Sequence, residues 1–359
     1  MHPDDRRIRD KAHAIWEGEG RPHGRHKLHG LAAAALAIGL WATPPASAET
    51  TTDLTITSYN IVAIPCLAKD DLKLCYPSWY GRTIAKRLKA LERFLRTQAA
   101  RDNGSDLVIL QEAYTSESDQ FDDGPIQAVI QSGIYPYVAT GASSVLDNDI
   151  QSFVELGRNN SVKDPPRGAF SSGLVVFSRL PILETRTISF GRDCALDDCA
   201  SNKGVLFVRL RLPDGDTAAV YVTHMQANKK AEGIRKKQIK TFGTLIDRTA
   251  GASPYRFHVG DFNFRVTPAS PSFRAFQRMT GATHAGQACL DDSGCKLVPD
   301  GGKTVAKARG RGVDHHFFST HAQGFAIEPI RVRYDDVMVE DRALSDHQYL
   351  KVRYRLVAP

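Results

Sequence analysis

Tyr255-Arg256-Phe257-His258-Val259-Gly260-Asp261-Phe262-Asn263-Phe264 decides how this chain is read. Tyr255–Val259 has the composition of a buried strand, and it runs straight into Gly260-Asp261, so a carboxylate stands where the apolar run stops. Asn263 follows two residues on. One carboxylate and one amide at a strand end are by themselves an ordinary turn, because both side chains bond nearby backbone. Recurrence lifts them above that reading. Leu54–Ile61 alternates apolar and polar residues like a strand, and Tyr59-Asn60 closes it. Asp106–Leu110 ends at Gln111-Glu112, and Val222-Thr223 ends at His224. Asp314 stands in Val313-Asp314-His315-His316-Phe317-Phe318, and Asp346-His347 opens a last strand. Apolar strands that all end in carboxylate, amide or imidazole point to one polar site at a rim of the sheets.

Working outward, strand-like and helix-like stretches alternate with no internal repeat. Arg82–Ala100 places Ile84, Leu88, Leu91 and Leu95 at helical spacing, with a basic face between them that reads as solvated. Lys230–Arg248 is a second helix. Gly173–Phe177 is a strand, and Val205–Leu212 with Ala218–Thr223 reads as a hairpin around Pro213-Asp214-Gly215-Asp216. Val313–Phe318 and Gln348–Arg355 complete the strands. Gly141–Gly173 and Pro299–Gly312 read as long loops, which in an enzyme often wall the active site.

The N-terminal segment is of another kind. Arg21, Arg25 and Lys27 precede the apolar run Leu31–Thr43, and Ala46-Ser47-Ala48 follows it. This is the pattern of a secretory signal peptide cleaved after Ala48, and the run is shorter than the roughly 20 residues of a bilayer span. The expectation is an exported protein, secreted or periplasmic, with residues 1–48 removed and 49–359 forming one catalytic domain. The formal net charge of +7 favours anionic surfaces or phosphate-bearing substrates without choosing among them. Six cysteines fall as three close pairs, Cys66/Cys75, Cys194/Cys199 and Cys289/Cys295. An even number in an exported chain suggests disulfides, with local pairing preferred and other connectivities open. Zinc is disfavoured, since no pair has the two-residue spacing of a zinc knuckle.

The strand-end residues have a consistent chemistry. Carboxylate and amide oxygens are hard ligands suited to Mg2+ or Mn2+. Histidines beside acidic groups move protons near neutral pH. No Gly-x-Ser-x-Gly nucleophile elbow is present.

Taken in order, Tyr-Asn, Gln-Glu, Thr-His, Gly-Asp-x-Asn and Ser-Asp-His resemble the endonuclease/exonuclease/phosphatase superfamily over about Thr52 to Val357. That resemblance implies an α/β (α+β) four-layer, DNase-I-like sandwich: two packed mixed β-sheets flanked by helices, with the active site at one end. Further stretches are similar to secreted bacterial sphingomyelinases C: Trp79-Tyr80-Gly81-Arg82, Ser172–Ile182, Cys194…Asp198…Ser201-Asn202-Lys203-Gly204-Val205 and Thr223-His224-Met225-Gln226-Ala227. The resemblance implies a metal site of Asn60, Glu112, Asp261, Asn263, Asp346 and His347 for Mg2+, with Mn2+ or Co2+ as substitutes. His347 would be the general base, Asp314 would orient its ring, His224 would bind the phosphate, and Lys203 would lie near the headgroup. Asp261 and Asn263 would also meet the scissile phosphate or the attacking water. The implied partner is a phospholipid at a membrane or micelle surface, and no obligate protein partner is evident.

The chain also departs from that pattern. No Trp lies between Asp314 and Asp346, so a bilayer-inserting aromatic hairpin is not carried over, and His315 stands where the family more often has Tyr. Competing readings are a secreted nuclease using Lys307, Arg309 and Arg311 along a nucleic-acid backbone, a phospholipase C or phosphatase for another headgroup, and a non-catalytic binding domain. The last fits poorly, because every expected acidic, amide and imidazole position is filled.

Overall fold

The computed structural model describes residues 49–63, 67–69, 72–74, 84–100, 104–114, 129–142, 171–249, 251, 253–299 and 301–359. The stretch read as an export signal, Cys66, Cys75, Trp79–Arg82 and most of the Gly141–Gly173 stretch lie outside them. Thr50–Ala358 forms one compact unit.

The strands in chain order are β1 (Thr50–Ala63), β2 (Leu67–Lys69), β3 (Leu72–Leu74), β4 (Leu107–Ala113), β5 (Tyr137–Thr140), β6 (Val175–Ser178) and β7 (Ile182–Ser189). Then come β8 (Gly204–Arg211), β9 (Thr217–His224), β10 (Tyr255–Asp261), β11 (Thr283–His284), β12 (Lys296–Val298) and β13 (Asp314–Thr320). The last are β14 (Ala326–Asp335), β15 (Met338–Val339), β16 (Arg342–Ala343) and β17 (Tyr349–Ala358). The helices are α1 (Ile84–Ala99), α2 (Glu232–Thr249), α3 (Pro271–Thr280), α4 (Ala285–Asp291) and α5 (Gly302–Ala306). One sheet has the order β12-β14-β17-β1-β4-β6-β5, the other β11-β13-β10-β9-β8-β7. Both are mixed: β1 runs parallel to β4 but antiparallel to β17, and β10 parallel to β9 but antiparallel to β13.

Period-two alternation explains the stacking. Leu54, Ile56, Val352 and Tyr354 face inward from the first sheet and meet Val208, Val220, Val222 and Phe257 of the second in one core. On the outer face of the first sheet, Leu91 and Leu95 of α1 pack on Tyr59, Val108, Phe177 and Tyr349. On the outer face of the second, Ile239 and Phe242 of α2 and Phe276 of α3 pack on Phe207, Tyr221 and Phe317. The result is helix, sheet, sheet, helix, the four-layer order that the resemblance implied. Helix α3 shows how locally the ends are set. Ser270 caps it by accepting from the Phe273 N–H, Pro271 occupies the first turn, and Gly281 closes it at φ 61°.

Three expectations need correction. Neither Tyr59-Asn60 nor Gln111-Glu112 closes its strand, because Asn60 and Gln111 are register partners inside β1 and β4 and the parallel ladder runs on to Ala63 and Ala113. Pro299–Gly312 is not a plain loop: it holds α5 and a π turn over Lys307–Arg311. Buried Ala308 anchors that turn so tightly that a Cβ on Gly286 would lie 2.6 Å from its carbonyl oxygen. The basic face of α1 is not all solvated, since Arg87 is buried and donates to the carbonyls of Ile61, Val62 and Leu344.

Candidate active site

The site is assembled from strand ends. In the second sheet, Asp261 of β10 is the register partner of His224 on β9 and of Asp314 on β13. One row across three strands therefore delivers an imidazole and two carboxylates to the same rim. The strands must come close there. Gly260 sits at φ 139°, and a Cβ on it would fall 2.1 Å from the Thr223 carbonyl oxygen, so only glycine fits before Asp261.

The first sheet supplies Asn60 and Glu112 from the neighbouring strands β1 and β4. Asn60 Nδ2 donates to Glu112 Oε1 at 3.0 Å and to Asp261 Oδ2 at 3.2 Å, joining the two sheets through one amide. Its Oδ1 accepts from the Val62 N–H, which fixes the rotamer. Ser345 Oγ donates to the Asn60 carbonyl at 2.7 Å and accepts from the His347 N–H at 3.0 Å, tying the segment before β17 to the same rim. His347 Nδ1 lies 2.9 Å from Asp314 Oδ2, which leaves Nε2 facing Asp261 at 4.0 Å and Asp346 at 3.9 Å. Asn263 is held from both sides, its N–H on Asp261 Oδ1 and its Nδ2 on the Met225 carbonyl. Glu112 and Asn263 both adopt left-handed backbone, at φ 55° and 52°. Such conformations cost energy in residues other than glycine and persist where surrounding bonds enforce them.

His224 and Lys203 form the other wall. Lys203 Nζ bonds His224 Nε2 at 2.9 Å and Asp198 Oδ1 at 2.6 Å, with both Lys203 and His224 buried. Burial, then the charges of Lys203 and His347, hold the His224 imidazole well below its ordinary pKa, so it is neutral and accepts from the ammonium. Sequence reading thus brought together Asn60, Glu112, Lys203, His224, Asp261, Asn263, Asp314 and His347. Asp346 stands apart at the rim with its side chain largely exposed. Not foreseen were the part of Asp198, which also caps the Ala227 N–H, the role of Ser345, and buried Tyr114 beside Glu112. Asp198 had a signal, lying between Cys194 and Lys203 in the stretch already singled out. Tyr114 had none, since a Tyr after a strand is usually core. The disulfides Cys194–Cys199 and Cys289–Cys295 are formed, as local pairing predicts.

The donor set fits a divalent cation. Asp261 Oδ, Asp314 Oδ and His347 nitrogen atoms converge within 4.8 Å. Glu112 Oε2 is buried and has no hydrogen-bond partner among the described residues. Burial and then the Asp314 charge push Asp261 up to about 7, and burial raises Glu112. Burial lowers His347, but the charge and hydrogen bond of Asp314, with Asp261 and Asp346, bring it up to about 10. Hard oxygens crowded until their charges oppose one another are a cradle for a hard cation.

The family described as Endonuclease/Exonuclease/phosphatase matches residues 80–347. The chain belongs to this family. A second match, to a protein of unknown function, covers residues 3–36 and overlaps the charged stretch and apolar run read as an export signal. No curated protein matches the chain. Among solved structures, a beta toxin mutant from Staphylococcus aureus with bound magnesium ions is similar at 17% identity and TM-score 0.54, covering 84% of this chain and 99% of that one. Sphingomyelinase C from Streptomyces griseocarneus is similar at 16% identity and TM-score 0.53, over 86% and 100%. TDP2 of D. rerio, complexed with a single-strand DNA product, also matches at 16% identity and TM-score 0.53, over 84% and 99%. The Endonuclease/Exonuclease/phosphatase fold is a phosphodiesterase and nuclease fold, and these similarities establish that fold.

Proposed function

We propose that this chain is an exported phosphodiesterase, dependent on a divalent metal, that hydrolyses sphingomyelin to ceramide and phosphocholine. The observation that carries it is the Asp314–His347 pair aimed, through Nε2, into a rim lined by Asn60, Glu112, Asp261 and His224. Glu112 and Asn60 on one side, and Asp261, Asn263 and His347 on the other, would hold Mg2+, with Asp346 at the edge. When bound, the cation polarises a phosphoryl oxygen and offsets charge on the leaving alkoxide. The chain's own groups do the rest. Asp314 fixes the His347 ring with Nε2 toward the site. The ring, held protonated despite its burial by the surrounding carboxylates while nothing offsets their charge, would take the proton of an attacking water once that charge is offset. Lys203 meets a non-bridging oxygen and stabilises the charge that grows there, and neutral His224 holds its ammonium in place.

One feature supports a lipid. Leu196 is 76% exposed on the short loop closed by Cys194–Cys199, the loop whose Asp198 grips Lys203. An exposed leucine two residues from the carboxylate that bonds Lys203 offers an apolar contact that a lipid can use and a nucleic-acid backbone does not. The paired cysteines also agree with an oxidising compartment outside the cytoplasm. A nuclease is the second reading, favoured by exposed Arg309 and Arg311 just before β13.

The deciding assay follows phosphocholine release from sphingomyelin micelles with Mg2+, with EDTA and with His347→Ala, and runs phosphatidylcholine and supercoiled DNA in parallel. Expected is release that needs the metal and that His347→Ala lowers by about 10²–10⁴-fold, with DNA left intact. Nicked DNA beside untouched sphingomyelin would transfer the site to the nuclease reading.

A further inference from the structure

His315 stands beside Asp314 on β13, on the outer side of the second sheet in the layer of Phe317. It is buried, and its ring packs on both aromatic flanks of Asn263. Phe262 lies 6.2 Å away between ring centroids, and Phe264 is stacked on it at 6.0 Å. In sequence this position is only a departure from the resembling family, with no task attached. In the fold it adjoins the turn that carries Asp261 and Asn263.

The hydrogen bonds on this ring have one direction. His284 caps α4, and its Nδ1 accepts from the Gln287 N–H at 3.2 Å. A nitrogen that accepts carries no proton, so the neutral His284 ring carries its proton on Nε2, 3.1 Å from His315 Nδ1. His315 Nδ1 is then the acceptor, and its own proton sits on Nε2, 2.8 Å from the Phe264 carbonyl oxygen. Burial is the first cause that lowers both imidazoles, His315 to about 4, and it keeps them neutral. Each of the four ring nitrogens is thus engaged. The chain runs from the first turn of α4 to the backbone just past Asn263. Strand β11 fixes the meeting, because His284 is the register partner of Phe317, two residues from His315.

Asn263 needs such support. Its left-handed backbone, at φ 52°, persists where neighbouring bonds enforce it. Asp261 Oδ1 takes its N–H and the Met225 carbonyl takes its Nδ2, so Oδ1 is the amide atom left over for a ligand. We propose that His284 and His315 are positioning residues for the catalytic site: together they clamp the Phe262–Phe264 turn and hold Asn263 in the pose that meets a divalent cation. The inference rests on the metal site proposed above, and it adds two residues that act through the turn rather than on metal or substrate. Phenylalanine at 315 keeps the ring contacts but strands the Phe264 carbonyl and the His284 donor, whereas glutamine offers one donor and one acceptor in their place. Loss of an outer hydrogen bond of this kind typically changes metal affinity by about 10–100-fold.

The test has two arms on the purified protein. In EDTA, long-range proton–nitrogen correlation spectra show where each imidazole carries its proton, and exchange of the Asn263 Nδ2 protons follows its pose. Both rings are expected in the Nε2–H form, and His315→Phe is expected to speed that exchange by about tenfold or more. Calorimetric titration with Mg2+ is expected to show binding weakened by about tenfold or more in His315→Phe and restored to within about threefold of wild type in His315→Gln. Phe242 packs on Tyr221, His258 and Phe276 in the same aromatic layer, outside the clamp. Phe242→Leu should melt lower than wild type yet bind Mg2+ as wild type does. The proposal is overturned if either wild-type ring carries its proton on Nδ1, or if His315→Phe folds and leaves the exchange unchanged. It is also overturned if His315→Gln binds Mg2+ no better than His315→Phe, or if Phe242→Leu weakens binding as much. Wild type that takes up no Mg2+, while His315→Phe still speeds the exchange, would overturn the metal reading and leave the clamp standing.

Discussion

His347 lies between two carboxylates with different tasks. Asp314 bonds Nδ1 at 2.9 Å, whereas Asp261 is 4.0 Å from Nε2 and is shared with Asn60. Only the first geometry is a hydrogen bond, so Asp314 sets the tautomer and Asp261 remains available to a cation. An amide at position 314 keeps the shape but loses the charge that stabilises the imidazolium, and it can present its donor to Nδ1 instead of its acceptor. Asp314→Asn is therefore expected to lower kcat by about 10²–10⁴-fold with little change in KM. Adding Asp314→Asn to His347→Ala should cost far less than Asp314→Asn costs alone, because most of what the carboxylate does passes through the ring. Steady-state kinetics on the two single variants and the double variant check this. Equal further losses in the double variant would mean that Asp314 acts on its own.

At the scale of elements, the active rim depends on how α1 is fastened to the end of β1. Arg87, on the helix, donates to the Ile61 and Val62 carbonyls just beyond Asn60 and to the Leu344 carbonyl just before Ser345. One guanidinium thus holds both backbone segments that carry residues proposed to hold the metal. Arg87→Met leaves buried acceptors unpaired and should destabilise by roughly 1–3 kcal/mol, with kcat falling as well because Asn60 and His347 lose their spacing. Denaturant unfolding and turnover measured together test the link, and a stability loss with unchanged kcat would break it. Arg87 also shows where sequence reading stops. Apolar periodicity revealed the Leu91–Leu95 stripe, but a cation at the border of that stripe reads as solvated unless one knows that two distant carbonyl ends converge on it. The strand-end residues were legible because a carboxylate ending an apolar run breaks an expected pattern. His224 and Asp261, which end strands, and Asp314 and His347, at or just before strand starts, could be placed by such breaks, and so could Asn60, although β1 runs on to Ala63. Glu112 was found too, but its place inside β4 was not, since ladder length depends on partner strands. The helical turn over Lys307–Arg311 was hidden because the close packing of Ala308 on Gly286 is a tertiary contact that local propensity does not report. The meeting of His284 with His315 was equally hidden, because register between strands is a tertiary fact.

Over the whole molecule, the inner sheet layers hold several histidines in the neutral form. His258, His284, His315 and His316 are all buried, and burial is the first cause that lowers each of them. His258 is the cleanest probe, because it packs between Tyr221, Phe242 and Phe276, three residues before the nearest site carboxylate. Burial, then the charges of Arg256 and His321, push it down to about 3 from an ordinary 6.5. Below 6.5 the unfolded chain takes up a proton that the folded chain refuses, so stability is complete above that pH and falls as pH drops toward 3. The slope from one such group approaches about 1.4 kcal/mol per pH unit. Asp261, raised to about 7, acts in the opposite direction over part of this range, so the absolute curve mixes both effects. A difference between two proteins removes the mixture. His258→Phe retains an aromatic ring against Tyr221 and cannot titrate, so its stability relative to wild type should rise steadily as pH is lowered from roughly 6 to 4. Urea unfolding at several pH values measures that difference. Parallel curves for the two proteins would mean that His258 is protonated in the fold, and that the aromatic layer beneath the active rim admits charge that its packing says it excludes.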